Sequence, residues 1–118
     1  MTKVSNTPPR TRRAASDVRL VLTTVPARAA ARIAAALVDA RLAACVNAVR
    51  GVGSVYRWKG RVERATETLL LIKTSRLALA ACRRALARVH PYDLPEVVVV
   101  TPSAVEAGYA AWVRASTR

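Results

Sequence analysis

The spacing of apolar residues along this chain switches between a strand-like period of two and a helix-like period near 3.6, and the switches divide it into elements. Val18 to Thr24 is a short apolar run ending in Thr-Thr-Val-Pro, which predicts a buried strand. Pro26 is placed to open a helix at its first position, where a fixed φ and a missing N–H cost nothing. From there Ala30, Ile33, Ala34, Leu37 and Val38 recur at helical spacing, with Arg28, Arg32 and Asp39 outside. Leu42 to Val49 begins a second strand, and Gly51 and Gly53 are candidate bulge or bend positions.

The stretch from Gly53 to Ser75 predicts one long β-hairpin turning at Lys59-Gly60, so that Trp58 faces Arg61 and Tyr56 faces Glu63. If pairing starts near Ala44, each arm has about a dozen residues and reaches roughly 40 Å at ~3.3 Å per residue. A domain of about 100 residues has a radius of gyration of only about 13 Å, so the tip cannot lie in its own core. Tyr56 and Trp58 at that tip favour contact with another copy of the chain over exposure to solvent.

Beyond the hairpin, Ser75 suits the N-cap of a second amphipathic helix ending near Val89. Its inner stripe is Leu79, Cys82, Leu86 and Val89, with Ala78 and Ala85 alongside. The segment from His90 to Pro95 is a connection stiffened by two prolines, Glu96 to Thr101 a final buried strand, and Glu106 to Ser116 a terminal helix with Tyr109, Trp112 and Val113 on one side. The order β-α-β-β-α-β-α is the split βαβ arrangement of a ferredoxin-like α+β sandwich, extended by a long hairpin between strands two and three and by a C-terminal helix. Two helices cover one sheet face. The other face stays apolar and needs a cover, a second argument for self-association.

Composition changes this picture little. With 118 residues and 53% hydrophobic content the chain is sized for one core, so residues 17–118 are read as a single domain. Residues 1–16, with Lys3, Arg10, Arg12 and Arg13 and no acid, read as a disordered basic tail; a transit peptide is the alternative, though no amphipathic face supports it. No apolar run is long enough for a membrane span. The net charge of +13 falls to +9 over residues 17–118, where 16 basic side chains face 7 acidic ones, scattered in ones and twos. That pattern describes a solvated surface, not a phosphate track, and no specific nucleic-acid partner is expected. An RNA-recognition sheet would need aromatics on its central strands. The third strand, Val62 to Thr74, has none, and the chain has no Phe.

The chemistry on offer is sparse. The glycines make no phosphate-binding loop. A nucleophile–histidine device would have to use His90, the sole histidine, and no enzyme activity is expected. Cys45, His90 and Glu96 offer sulfur, nitrogen and oxygen donors suited to copper or zinc. The competing reading is that His90 braces a turn and Cys45 packs. Neither cysteine has a C-x-x-C partner, which fits a reducing, cytoplasmic compartment.

Six motifs in order, Leu42-Ala-Ala-Cys-Val46, Tyr56-Arg-Trp-Lys-Gly60, Lys73-Thr74, His90-Pro-Tyr92, Pro95-Glu96 and Tyr109-Ala-Ala-Trp112, resemble the CutA family of divalent-cation tolerance proteins over residues 18–116. The resemblance implies a ferredoxin-like subunit, a homotrimer whose hairpins reach across neighbours, a cytoplasmic location and a role in tolerance to divalent metals, copper above all. It assigns Cys45, His90 and Glu96 to positions linked with metal binding, and Trp58, Lys73 and Tyr92 to positions near an inter-subunit cleft. Thr23 and Val89 stand where some members have a cysteine and a second histidine, which removes two good copper ligands. The architecture also resembles the trimeric PII proteins, so a small-molecule sensor using the cleft is the alternative function.

Overall fold

The computed structural model describes residues 17–118, and the tail expected over residues 1–16 lies outside them. Strand β1 (Val18–Val25) is followed by helix α1 (Ala27–Asp39), then by β2 (Cys45–Trp58) and β3 (Arg61–Ser75). Helix α2 (Leu79–Val89), β4 (Val98–Val100) and α3 (Ala107–Ser116) complete the chain. The sheet order is β2-β3-β1-β4 with every pair antiparallel, as the split βαβ reading requires.

The hairpin has the expected register, with Trp58 opposite Arg61 and Tyr56 opposite Glu63. Its two-residue turn places both Lys59 (φ 50) and Gly60 (φ 78) in the left-handed region, the twist-matched geometry in which glycine is at ease and lysine is not. The arm makes the molecule 60 Å long and 29 by 22 Å across, with a radius of gyration of 16.6 Å. Of the two candidate bulges only Gly51 (φ 70) is one. The register shifts between Val49 and Val52, whereas Gly53 pairs regularly with Thr66.

The core fills the space between one sheet face and helices α1 and α2. Val21 and Val25 of β1 and Leu70 and Ile72 of β3 meet Ile33 and Leu37 of α1 and Cys82 and Leu86 of α2, all essentially inaccessible to solvent. Thr74 closes this face by donating its hydroxyl to the Leu42 carbonyl at 2.6 Å.

On the opposite face, α3 covers only the end near Val18, through Ala110 and Val113. Its C-terminus is tied down by the ion pair of Arg114 with Asp17 at 2.7 Å and by the contact of the Thr117 and Ser75 hydroxyls at 2.8 Å. The rest of that face, including Leu20, Leu22, Leu69, Leu71, Val98 and Val100, is open, and Val98 is 46% exposed.

Several boundaries differ from the sequence expectation. Pro26 is the N-cap of α1, not its first helical residue, because its ψ of 144 is extended, and its carbonyl accepts the Ala29 N–H. Ala29 replaces Val38 in the buried stripe, leaving Val38 40% exposed. Strand β2 starts at Cys45 because Leu42 and Ala43 turn over the end of α1, both donating to the Leu37 carbonyl after Arg41 adopts a φ of 59. Ser75 does accept the Ala78 N–H, but this closes a turn ahead of α2, which begins at Leu79. Strand β4 shrinks to three residues, since only Val98–Val100 lie beside β1. In α3 the small Ala110 packs beside Val113, while Tyr109 and Trp112 are exposed and their rings meet at a tilt, 5.6 Å between centroids.

Thr68 is buried against the helices, and its hydroxyl has no partner among the described residues. Replacing an unsatisfied hydroxyl by a methyl group removes a desolvation penalty. Thr68→Val should therefore raise the unfolding free energy by about 1 kcal/mol in urea denaturation, and a loss of that size would contradict the assignment.

Candidate functional site

The bulge at Gly51 decides what the arm shows to the open side of the sheet. Directly paired residues share a face. Before the bulge Cys45, Asn47 and Val49 lie opposite Lys73, Leu71 and Leu69, and after it Val52, Ser54, Tyr56 and Trp58 lie opposite Glu67, Ala65, Glu63 and Arg61. The parity of β2 thus changes from odd to even, and both aromatics of the arm turn toward the open side.

There the root of the arm and the segment from Pro91 to Glu96 enclose a groove of about 840 Å3. Its polar centre is Glu67, only 8% exposed at the start of the sheet proper. The Tyr92 hydroxyl donates to Glu67 Oε2 at 2.6 Å, and the Ser54 and Thr24 hydroxyls hydrogen-bond the same carboxylate. Burial pushes the Glu67 carboxyl up, but these three bonds outweigh it and hold the group below the ordinary carboxylate value. The Tyr92 phenol is pushed up to about 12, first by burial and then by the Glu67 bond and charge.

His90 fixes the segment that carries Tyr92. Its Nδ1 accepts the Tyr92 backbone N–H at 3.2 Å, so the ring proton belongs on Nε2, which lies 3.0 Å from the Thr24 carbonyl and 3.1 Å from Thr23 Oγ1. The two rings pack at 4.9 Å. With both nitrogens engaged and the residue 7% exposed, His90 braces the turn between α2 and the groove.

Trp58, Tyr92 and Glu96 all line the groove, with His90 beneath it. Lys73 and Cys45 do not. They pair with each other six residues along β3 from Glu67, about 20 Å away at ~3.3 Å per residue. Cys45 is on the open face, whereas His90 reaches Thr23 on the helix face. Among the described residues no three His, Cys, Asp or Glu side chains converge to hold a metal ion. Cys45, His90 and Glu96 therefore form no ligand set within one chain, because the sheet itself separates the thiol from the imidazole.

Glu67, Ser54 and Asp93 were not singled out from the sequence. The available signal was an acid in the open-face register of β3, in line with Leu69 and Leu71, where an apolar residue belongs.

A four-stranded antiparallel sheet with two helices on one face, a protruding hairpin and a groove at its root defines a ferredoxin-like α+β protein. The family model described as "CutA1 divalent ion tolerance protein" matches residues 19–116, and the chain belongs to that family. The divalent-cation tolerance protein CutA of Thermus thermophilus is 44% identical over 99 residues, 83% of this chain and 96% of the relative. The chloroplastic protein CutA 1 of Oryza sativa is 40% identical over 84% of this chain and 56% of its own length. The structure titled "PII-like protein CutA from Nostoc sp. PCC 7120 in apo form" superposes with a TM-score of 0.82 at 34% identity, covering 85% of this chain and 97% of that one.

Two predictions follow from this geometry. A folded pKa held below the ordinary 4.5 means that Glu67 contributes stability above that pH and loses it as pH falls through the folded value. Tyr92→Phe should cost about 1–2 kcal/mol at pH 7, and its difference from the parent should shrink in an acid unfolding series as pH falls through the folded value of Glu67; a constant difference would contradict the coupling. Burial pushes the Cys82 thiol up to about 11, so little thiolate exists at pH 8 and native Cys82 should resist iodoacetamide until the chain unfolds. Modification of Cys82 in native protein, read by peptide mass, would contradict its place in the core.

Proposed function

We propose that this chain acts as a homotrimeric, cytoplasmic protein of divalent-cation tolerance that binds copper or a similar cation between its copies and catalyses no reaction. The observation that supports this reading is the uncovered apolar sheet face, which runs from Leu22 and Val98 to Leu71 and Leu69. A monomer would leave it in water, against the usual limit on exposed apolar patches. Because Cys45 and Glu96 stand apart within one chain, a shared cation site requires donors from neighbouring copies. Cys45 is the thiol on the open face, and Glu96 and Asp93 supply oxygens, while His90 keeps its bracing role. Both cysteines are free thiols, which fits a reducing cytoplasm.

The groove favours a second reading, a PII-like sensor of a small molecule. Its volume lies within the range of about 300–1,000 Å3 typical of such sites, and its walls combine aromatic rings with convergent polar groups.

Light scattering at micromolar concentration should give three times the chain mass of 12.7 kDa, and a monomer would end the leading reading. Calorimetric titration of copper should show saturable binding that Cys45→Ser weakens at least tenfold in an intact trimer, and that falls with pH as protons compete for the thiolate. Equal binding by parent and variant would remove Cys45 from the site.

A further inference from the structure

We infer that the groove at the root of the arm binds a small organic ammonium cation, with Glu67 supplying the charge and Tyr92 and Tyr56 the aromatic faces. This rests on the reading of the groove as a ligand site and names the class of ligand.

The charge distribution is the first argument. The chain has 20 Lys and Arg against 7 Asp and Glu, yet three of those acids, Glu67, Asp93 and Glu96, line the groove and no basic residue does. A basic protein has gathered negative charge into one concave place. Two cationic or ionisable groups act on it from outside the lining: Arg28 on the Tyr92 phenol from α1, and His90 on Glu67 from below.

Glu67 itself is the second argument. A carboxylate more than nine-tenths buried is ordinarily paired with a cation. Its hydrogen-bond partners Tyr92, Ser54 and Thr24 are all neutral hydroxyls, and no Lys or Arg forms an ion pair with it among the described residues. Those bonds fix the carboxylate and leave its charge uncompensated at the groove wall.

The third argument separates an organic cation from a metal ion. Within one chain a metal would need several donors converging on one point, and the described residues provide no such group. The groove instead offers the ring of Tyr92 at the carboxylate and that of Tyr56 near Tyr92. The negative faces of such rings attract alkylammonium groups, whose methyl or methylene surface is weakly hydrated and gains from apolar contact.

The test is a calorimetric titration of choline chloride into the full-length chain, at ionic strength held constant with sodium chloride. Its uncharged isostere 3,3-dimethyl-1-butanol is titrated in parallel. Choline should bind saturably, and the isostere should bind at least tenfold more weakly. Glu67→Gln keeps an acceptor for the Tyr92 hydroxyl while removing the charge, and should weaken choline at least tenfold with the circular dichroism spectrum and solution mass unchanged. Equal binding of choline and the isostere, or an unaltered affinity in Glu67→Gln, would overturn the ammonium site while leaving the groove a ligand site. No binding of either compound would overturn the inference.

Discussion

One strand register, set at the Lys59-Gly60 turn and shifted once at Gly51, determines the face on which every residue of β2 and β3 lies. A strand has a side-chain period of two, so a single inserted residue reverses everything beyond it. Without that insertion Tyr56 and Trp58 would fall on the opposite side of the arm from Glu67. With it, the aromatics, Ser54 and Glu67 share the side that the helices leave bare. The groove therefore results from a backbone irregularity before it results from any particular side chain.

The same register separates two environments. On the helix face Val21, Val25, Leu70 and Ile72 complete a dry core. On the open face, β1, β3 and β4 present aliphatic side chains that α3 reaches only at the Val18 end. His90 connects the two: it holds Thr23 and the Thr24 carbonyl, and it positions Tyr92 to reach Glu67 around the end of β1. A turn brace and a support of the groove wall are in this case one residue.

Much of the architecture was legible in the sequence, because hydrophobic period and turn chemistry are local signals. Lys59-Gly60 gave the register of the arm, and the stripe from Leu79 to Val89 gave the buried side of α2. Gly51 and Gly53 could not be told apart, since a positive φ depends on the partner strand. Tyr109 and Trp112 were expected beside Val113, yet a ten-residue helix on a narrow strip of sheet buries the smaller Ala110 instead. His90, Tyr92, Trp58 and Glu96 lie in or beside the groove, whereas Cys45 and His90 lie on opposite faces of the sheet within one chain, which sequence distance does not reveal. Glu67 escaped notice because its meaning lies in a hydrogen bond to a residue 25 positions away.

The assignment of the arm and the open face to contacts between copies is most directly tested by native-state hydrogen exchange of peptides spanning residues 53–66. A two-stranded arm in solvent has neither a third strand nor a packed face and opens easily. If neighbouring copies cover it, those amides should exchange nearly as slowly as those of β1 and should lose protection as the protein is diluted. Fast exchange of the arm at every concentration, beside a protected β1, would contradict the account.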